Sequence, residues 1–125
     1  VAGVSLSTLA YGLDSERVVR TMPNTPAQIG KGITGAVAAP RVSAADRQTT
    51  EALLGAAGKL VWFEAEEELD AVTAVSGSGP AYVFHLVEAL AEAGRRQGLD
   101  DAAAVLLARQ TVIGAAAPPK RSGRT

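Results

Sequence analysis

The sequence has 125 residues, 47% of them apolar and 20% charged, with twelve Lys and Arg against thirteen Asp and Glu for a net charge of -1. That balance leaves no basic field to hold nucleic acid or an anionic membrane, and with no cysteine and one histidine there is no disulfide framework, no thiolate chemistry and no basis for a zinc site. No apolar run is long enough to span a membrane and no signal-peptide pattern is present, so a cytoplasmic protein with about one domain's worth of chain is expected.

Val1-Ala2-Gly3-Val4 reads as the end of a strand, and Ser5 or Ser7 is placed to cap a short helix through Leu6, Leu9 and Ala10. A β-branched run, Arg17-Val18-Val19-Arg20-Thr21-Met22, then stops at Pro23-Asn24-Thr25-Pro26. Ligands of open α/β sheets lie beyond the carboxyl ends of strands, which makes Ala2-Gly3 and the loop at 23–26 candidate ligand positions. As chemistry alone, the Pro-Asn-Thr-Pro loop reads equally well as a rigid turn.

Gly30-Lys31-Gly32-Ile33-Thr34-Gly35 spells G-x-G-x-x-G, but a dinucleotide fingerprint needs a strand before it and a helix opening from it. Here Ile33 onward reads as a strand that ends at Pro40, so the match is set aside as a glycine-containing loop. Ser43 with Asp46 three residues on makes a capping-box pattern for a helix carrying Thr50, Leu53, Leu54 and Ala57, closed by Gly58. Lys59-Leu60-Val61-Trp62-Phe63-Glu64 follows as a strand.

Beyond Glu64 the pattern becomes wholly helical, and a domain boundary is expected near Ala65. Glu66, Glu67 and Glu68 suit a first helical turn. Ser76-Gly77-Ser78-Gly79 reads as a corner, with Pro80 at the first position of a long helix where its missing N–H would have had no partner. That helix places Val83, Leu86, Val87, Leu90, Ala91 and Gly94 on one face, and Tyr82 and Phe84 extend the apolar circumference. After Gly98, Asp100 or Asp101 caps a second helix through Val105, Leu106, Leu107, Val112 and Ile113. So much apolar surface on so few helices points to completion of the core by a second subunit. Pro118-Pro119 ends the helix, and residues 118–125 have the composition of a disordered tail.

Few groups could make or break bonds. His85 lies one turn into the long helix and reads as a packed or surface residue. Ser76 and Ser78 lack the G-x-S-x-G setting and a base with an orienting partner. Hydroxyls at Thr73, Ser76 and Ser78 and a carboxylate at Glu66 suit a site that orients, with a cofactor carrying the chemistry. The bland reading of the Ser-Gly-Ser-Gly-Pro stretch is that it lets helices pack closely.

Arg17-Val18-Val19-Arg20-Thr21-Met22-Pro23-Asn24-Thr25-Pro26, followed by Glu66-Glu67-Glu68-Leu69-Asp70-Ala71-Val72-Thr73-Ala74-Val75-Ser76-Gly77-Ser78-Gly79-Pro80-Ala81-Tyr82, closely resembles pyrroline-5-carboxylate reductase. The resemblance runs from Val1 to about Ala117. It implies an α/β chain in which the C-terminal remnant of a Rossmann-type domain (1–65) is followed by an all-α dimerisation domain (66–117), then the atypical tail (118–125). Enzymes of that family reduce 1-pyrroline-5-carboxylate to L-proline with NADH or NADPH, the last step of proline synthesis, and pair as homodimers through their C-terminal helices. Carried over by position, Val1, Ala2 and Gly3 match a cofactor-touching loop, and Pro23 and Asn24 match the nicotinamide-side loop. Glu66 matches an acid near the active site, and Thr73 matches the threonine whose hydroxyl lies near the ring nitrogen of the substrate.

The family's glycine fingerprint should precede Val1, and its Ser-Pro-Gly-Gly-Thr-Thr substrate loop should follow Ala117, where 118–125 stands instead. The resemblance therefore implies a reductase fragment that is inactive by itself. The alternative it leaves is a non-catalytic helical dimerisation module derived from the same family.

Overall fold

The computed structural model describes residues 3–119. The chain divides into two compact units, Val1–Pro80 and Ala81–Thr125. In the first, three strands, β1 (Val19–Met22), β2 (Gly32–Ala38) and β3 (Gly58–Phe63), form a sheet in that order. β1 and β2 are antiparallel, with Val19 opposite Ala38, whereas β2 and β3 are parallel, with Gly32 opposite Gly58.

Parallel neighbours cannot be joined by a tight hairpin. The crossover is α2 (Ala44–Leu54), continued by a 3-10 turn, Gly55–Ala57. Its start is the expected capping box: the Asp46 N–H donates to Ser43 Oγ, and the Ser43 N–H donates to the Asp46 carboxylate, both at 3.1 Å. The Arg17 guanidinium also grips Asp46 and holds its carboxyl below the usual range, so the approach to β1 is tied to the first turn of α2. On the same helix, Arg47 stacks over the Trp62 ring of β3 and Glu51 accepts from the indole N–H at 2.8 Å.

Met22, Val37 and Leu69 form the core of this unit, with Leu6, Phe63 and Val72 packed against it. Leu69 is fully buried and belongs to α3 (Glu68–Val72). Burying such a side chain is worth about 1.5–3 kcal/mol. The glycines of the 30–35 stretch are explained by packing. A Cβ on Gly32 would lie 2.7–3.0 Å from Ala27, in a 3-10 turn over Thr25–Ile29, and one on Gly35 would lie 2.9 Å from the Val72 side chain. Setting the dinucleotide fingerprint aside therefore agrees with the structure, since Gly32 and Gly35 lie within β2 and no helix opens from them.

Two local expectations change. The strand end read at 1–4 is not found where the structure describes it: Val1 and Ala2 lie outside the described residues, and Gly3 sits in a turn that leads to α1 (Leu6–Leu13). Ser5 caps α1, accepting from the Thr8 N–H at 3.2 Å. The glycine-serine corner is helical instead. α3 passes into a π-turn over Thr73–Gly77, Ser78 keeps right-handed helical dihedrals, and α4 (Gly79–Arg96) opens one residue before Pro80.

In the second unit, α4 and α5 (Asp101–Ala116) are joined by a short loop at 97–100. Asp100 caps α5, accepting from the Ala103 N–H at 2.8 Å. The helices meet through small residues: Ala91, Ala104 and Ala108 are buried, with Val87 and Val105 alongside. A Cβ on Gly94 would lie 3.4 Å from that of Ala104. The broad apolar face, expected to be completed by a second subunit, is mostly open in the single chain. Only Ala91 among those six positions is buried, while Tyr82 is 70% and Phe84 58% exposed. Lys120 onward, most of the expected tail, lies outside the described residues.

Candidate functional site

Arg20 shares the inward face of β1 with Met22, and its guanidinium would be an uncompensated charge in the core without a partner. The partner is Glu66, whose Oε1 accepts from Arg20 Nη1 at 2.8 Å and from the backbone N–H of Leu6, the first residue of α1, at 2.7 Å. The Arg20 side chain is 9% exposed and its Nε is buried without a hydrogen-bond partner among the described residues. One carboxylate thus joins three segments: the first turn of α1, the strand leading to Pro23, and the approach to α3.

The Leu6 N–H, and after it the Arg20 guanidinium, hold the Glu66 carboxyl below its ordinary range. A depressed carboxylate stabilises the fold above the unfolded pKa, and that contribution is lost as pH falls through the folded value. The free energy of unfolding is therefore expected to decline in acid below the ordinary glutamate range, about 4.3. In Glu66→Gln the decline should be shallower, as read by urea unfolding at stepped pH; an unchanged slope would count against the ion pair.

Asn24 precedes the 3-10 turn and uses both ends of its side-chain amide. Oδ1 accepts from the Ile33 N–H of β2 at 3.0 Å, and Nδ2 donates to the Ser76 carbonyl at 3.1 Å. In a regular helix the N–H four residues on would donate to Ser76, but that residue is Pro80, which has none. The side chain of Asn24 takes its place.

Thr73 opens the π-turn and is half-buried. Its hydroxyl donates to the Leu69 carbonyl at 3.0 Å and its own carbonyl accepts from the Ser78 N–H at 2.9 Å, the five-residue spacing of a π-turn. Ser76 Oγ donates to the Val72 carbonyl at 3.0 Å. Such one-residue widenings of helices occur frequently at functional sites.

The structure thus links Asn24 to the turn that carries Thr73, whereas the hydrogen bonds of Glu66 go to Leu6 and Arg20. Gly3 is exposed with nothing within 4 Å of a Cβ position, Pro23 is exposed, and Val1 and Ala2 lie outside the described residues. A groove of about 350 Å³ lies beside the turn, lined by Ile33, Val61, Phe63, Val72, Val75 and Ser76 among others; of the candidate hydroxyls and the carboxylate Ser76 lines it, whereas Thr73, Ser78 and Glu66 do not. Among the described residues no three His, Cys, Asp or Glu side chains are grouped to hold a metal, and no helix is long and apolar enough to cross a membrane.

Sequence reasoning missed Arg20 and the π-turn. An arginine inside a β-branched run was a readable sign of a buried ion pair. Pro80 was a sign of a carbonyl in need of another donor.

Residues 66–124 match a protein family described as pyrroline-5-carboxylate reductase dimerisation. A pyrroline-5-carboxylate reductase of Pseudomonas aeruginosa is 47% identical over 116 residues, which are 92% of this chain and 42% of that protein. One from Arabidopsis thaliana is 40% identical over 123 residues, 98% of this chain and 44% of its own length. Among solved structures, a Plasmodium falciparum pyrroline carboxylate reductase with NADP bound superposes with a TM-score of 0.85 at 31% identity, covering 98% of this chain and 48% of the other. The chain spans less than half the length of these relatives.

Proposed function

We propose, on the premise that the chain belongs to the pyrroline-5-carboxylate reductase family over the length it shares with those relatives, that it forms the substrate-orienting and dimerising part of such a reductase. The observation that carries the reading is the π-turn at Thr73, tied through Asn24 to the loop at the carboxyl end of β1. In this reading the reaction is reduction of 1-pyrroline-5-carboxylate to L-proline.

NADH or NADPH supplies a hydride when bound. Residues of the chain fit one end of such a dinucleotide: the exposed Pro23 offers backbone approach beyond the end of β1, and the turn at Gly3 is open. They do not offer a cradle for its phosphates, because the G-x-G-x-x-G stretch runs into β2 with its glycines filled by neighbours. Gly3, Pro23 and Asn24 would therefore flank the nicotinamide. Val1 and Ala2 are assigned beside Gly3 by resemblance alone.

Thr73 Oγ1 acts on the substrate nitrogen. Its hydroxyl leaves the Leu69 carbonyl and donates to that nitrogen, which gains basicity as the C=N bond is lost. A hydrogen bond that strengthens along the reaction lowers the barrier rather than tightening ground-state binding. Glu66 acts at one remove, holding the first turn of α1 and the Arg20 strand in place.

The exposed apolar side chains of α4 and α5, Tyr82, Phe84, Leu106 and Ile113 among them, meet a second copy of the chain in this reading. One experiment tests both parts. The purified 125-residue chain should sediment as a dimer and give no NADPH-dependent reduction of pyrroline-5-carboxylate. A chimera with the preceding half of the Pseudomonas aeruginosa relative before Val1, and that relative's sequence after Ala117, should turn over. A folded, dimeric but inactive chimera would refute the catalytic reading and leave the dimerisation module standing.

A further inference from the structure

We propose that Asn24 is a positioning residue: its amide gives the Ser76 carbonyl the hydrogen bond that Pro80 withholds, and so fixes the π-turn that aims Thr73. The proposal rests on the reading of Thr73 as the substrate-orienting hydroxyl. It replaces direct cofactor contact as the work of the Asn24 side chain.

The geometry is restrictive. Asn24 Oδ1 is held by the Ile33 N–H at 3.0 Å, so the amide plane is anchored to β2 and its Nδ2 is delivered to Ser76 at 3.1 Å. A proline at position 80 cannot complete the helical ladder to Ser76. An unpaired carbonyl there would invite the chain to rewind or kink, which are the usual responses to a proline within a helical path. Between Thr73 and Pro80, the turn is closed by the Ser78 N–H donating to the Thr73 carbonyl at 2.9 Å. The turn packs directly over the Thr73 side chain, since a Cβ on Gly77 would meet Thr73 Cγ2 at 3.6 Å, an ordinary van der Waals contact. Whatever shifts the turn therefore rotates Thr73. Because Asn24 stands in the loop beyond β1, movement of that loop is passed to the Thr73 hydroxyl through one hydrogen bond.

The test uses the full chain, isotope-labelled, with no substrate or cofactor. Three-bond couplings from Thr73 Cγ2 to its backbone N and C′ report its χ1, and amide exchange at Gly77 and Ser78 reports the π-turn. Asn24→Asp keeps the acceptor for Ile33 but turns an oxygen toward Ser76. The variant should change the Thr73 couplings and speed exchange at Gly77 and Ser78 by about tenfold relative to the sheet amides of Val37 and Trp62. Pro80→Ala in the Asn24→Asp background returns an N–H for Ser76 and should bring both readouts back toward wild type, a coupling that independent sites do not show. Uniformly faster exchange with unchanged Thr73 couplings means a loss of stability only and overturns the proposal, as does absence of rescue. If Asn24→Asp alone does not fold, the double variant must fold; failure of both also overturns it. Since no readout involves turnover, failure here leaves the reductase reading untouched, and an inactive chimera leaves the coupling measurable.

Discussion

Gly58→Ala is expected to destabilise the first unit by about 3–5 kcal/mol, combining backbone strain of about 1–3 kcal/mol with overpacking of similar size. Gly58 has φ 138° and ψ -145°, a region closed to residues with a Cβ. Gly32 stands opposite it in the parallel ladder, and the added methyl would run into the Gly32 backbone oxygen. Neither strand can yield cheaply, because Gly32 is itself held against Ala27 of the 3-10 turn. A domain with a total stability of about 5–15 kcal/mol would lose much of its folded population from this change. Urea unfolding of the whole chain, followed at Trp62, reads the effect. Gly55→Ala is the control: its φ is -60° and nothing among the described residues lies within 4 Å, so a methyl there should be neutral or stabilise by about 0.4–1 kcal/mol. Equal midpoints for the two variants would mean that the close β2–β3 start does not limit stability.

The same two glycines show what could be read from the chain beforehand and what could not. Their strands were legible because β-branched and aromatic residues cluster between breakers, and the capping box at Ser43 was legible because its partners are three residues apart. Setting aside the G-x-G-x-x-G match needed only the observation that no helix follows it. The contents of the site were harder because they are long-range. Arg20 and Glu66 are 46 residues apart and Asn24 and Ser76 are 52 apart, so neither pairing has a local signature. The Ser-Gly-Ser-Gly-Pro stretch reads as a corner if the helical ladder must be completed from within. It becomes part of a helical path once a side chain from elsewhere supplies the missing donor. The apolar faces of α4 and α5 were legible as surface that the chain cannot cover alone, but periodicity shows which side chains want to leave water, not which molecule covers them.

Thr73→Val in the active chimera is expected to lower kcat by about a hundredfold, the size of effect seen when one preorganised donor is removed from a developing charge. The NADPH KM should stay within about twofold, because the lost group faces the substrate ring. Valine keeps the β-branched shape and the methyl near Gly77, so the π-turn retains its packing and only the hydroxyl is lost. The bond given up in the resting chain is the one to the Leu69 carbonyl, which local helical geometry continues to satisfy. A fall in kcat with unchanged unfolding midpoint therefore isolates the chemical role. Thr73→Ser, which restores the hydroxyl without the methyl, should recover most of the rate. Unchanged turnover in Thr73→Val would remove Thr73 from the reaction altogether. A rise in substrate KM alone would make it a binding contact that the transition state does not strengthen.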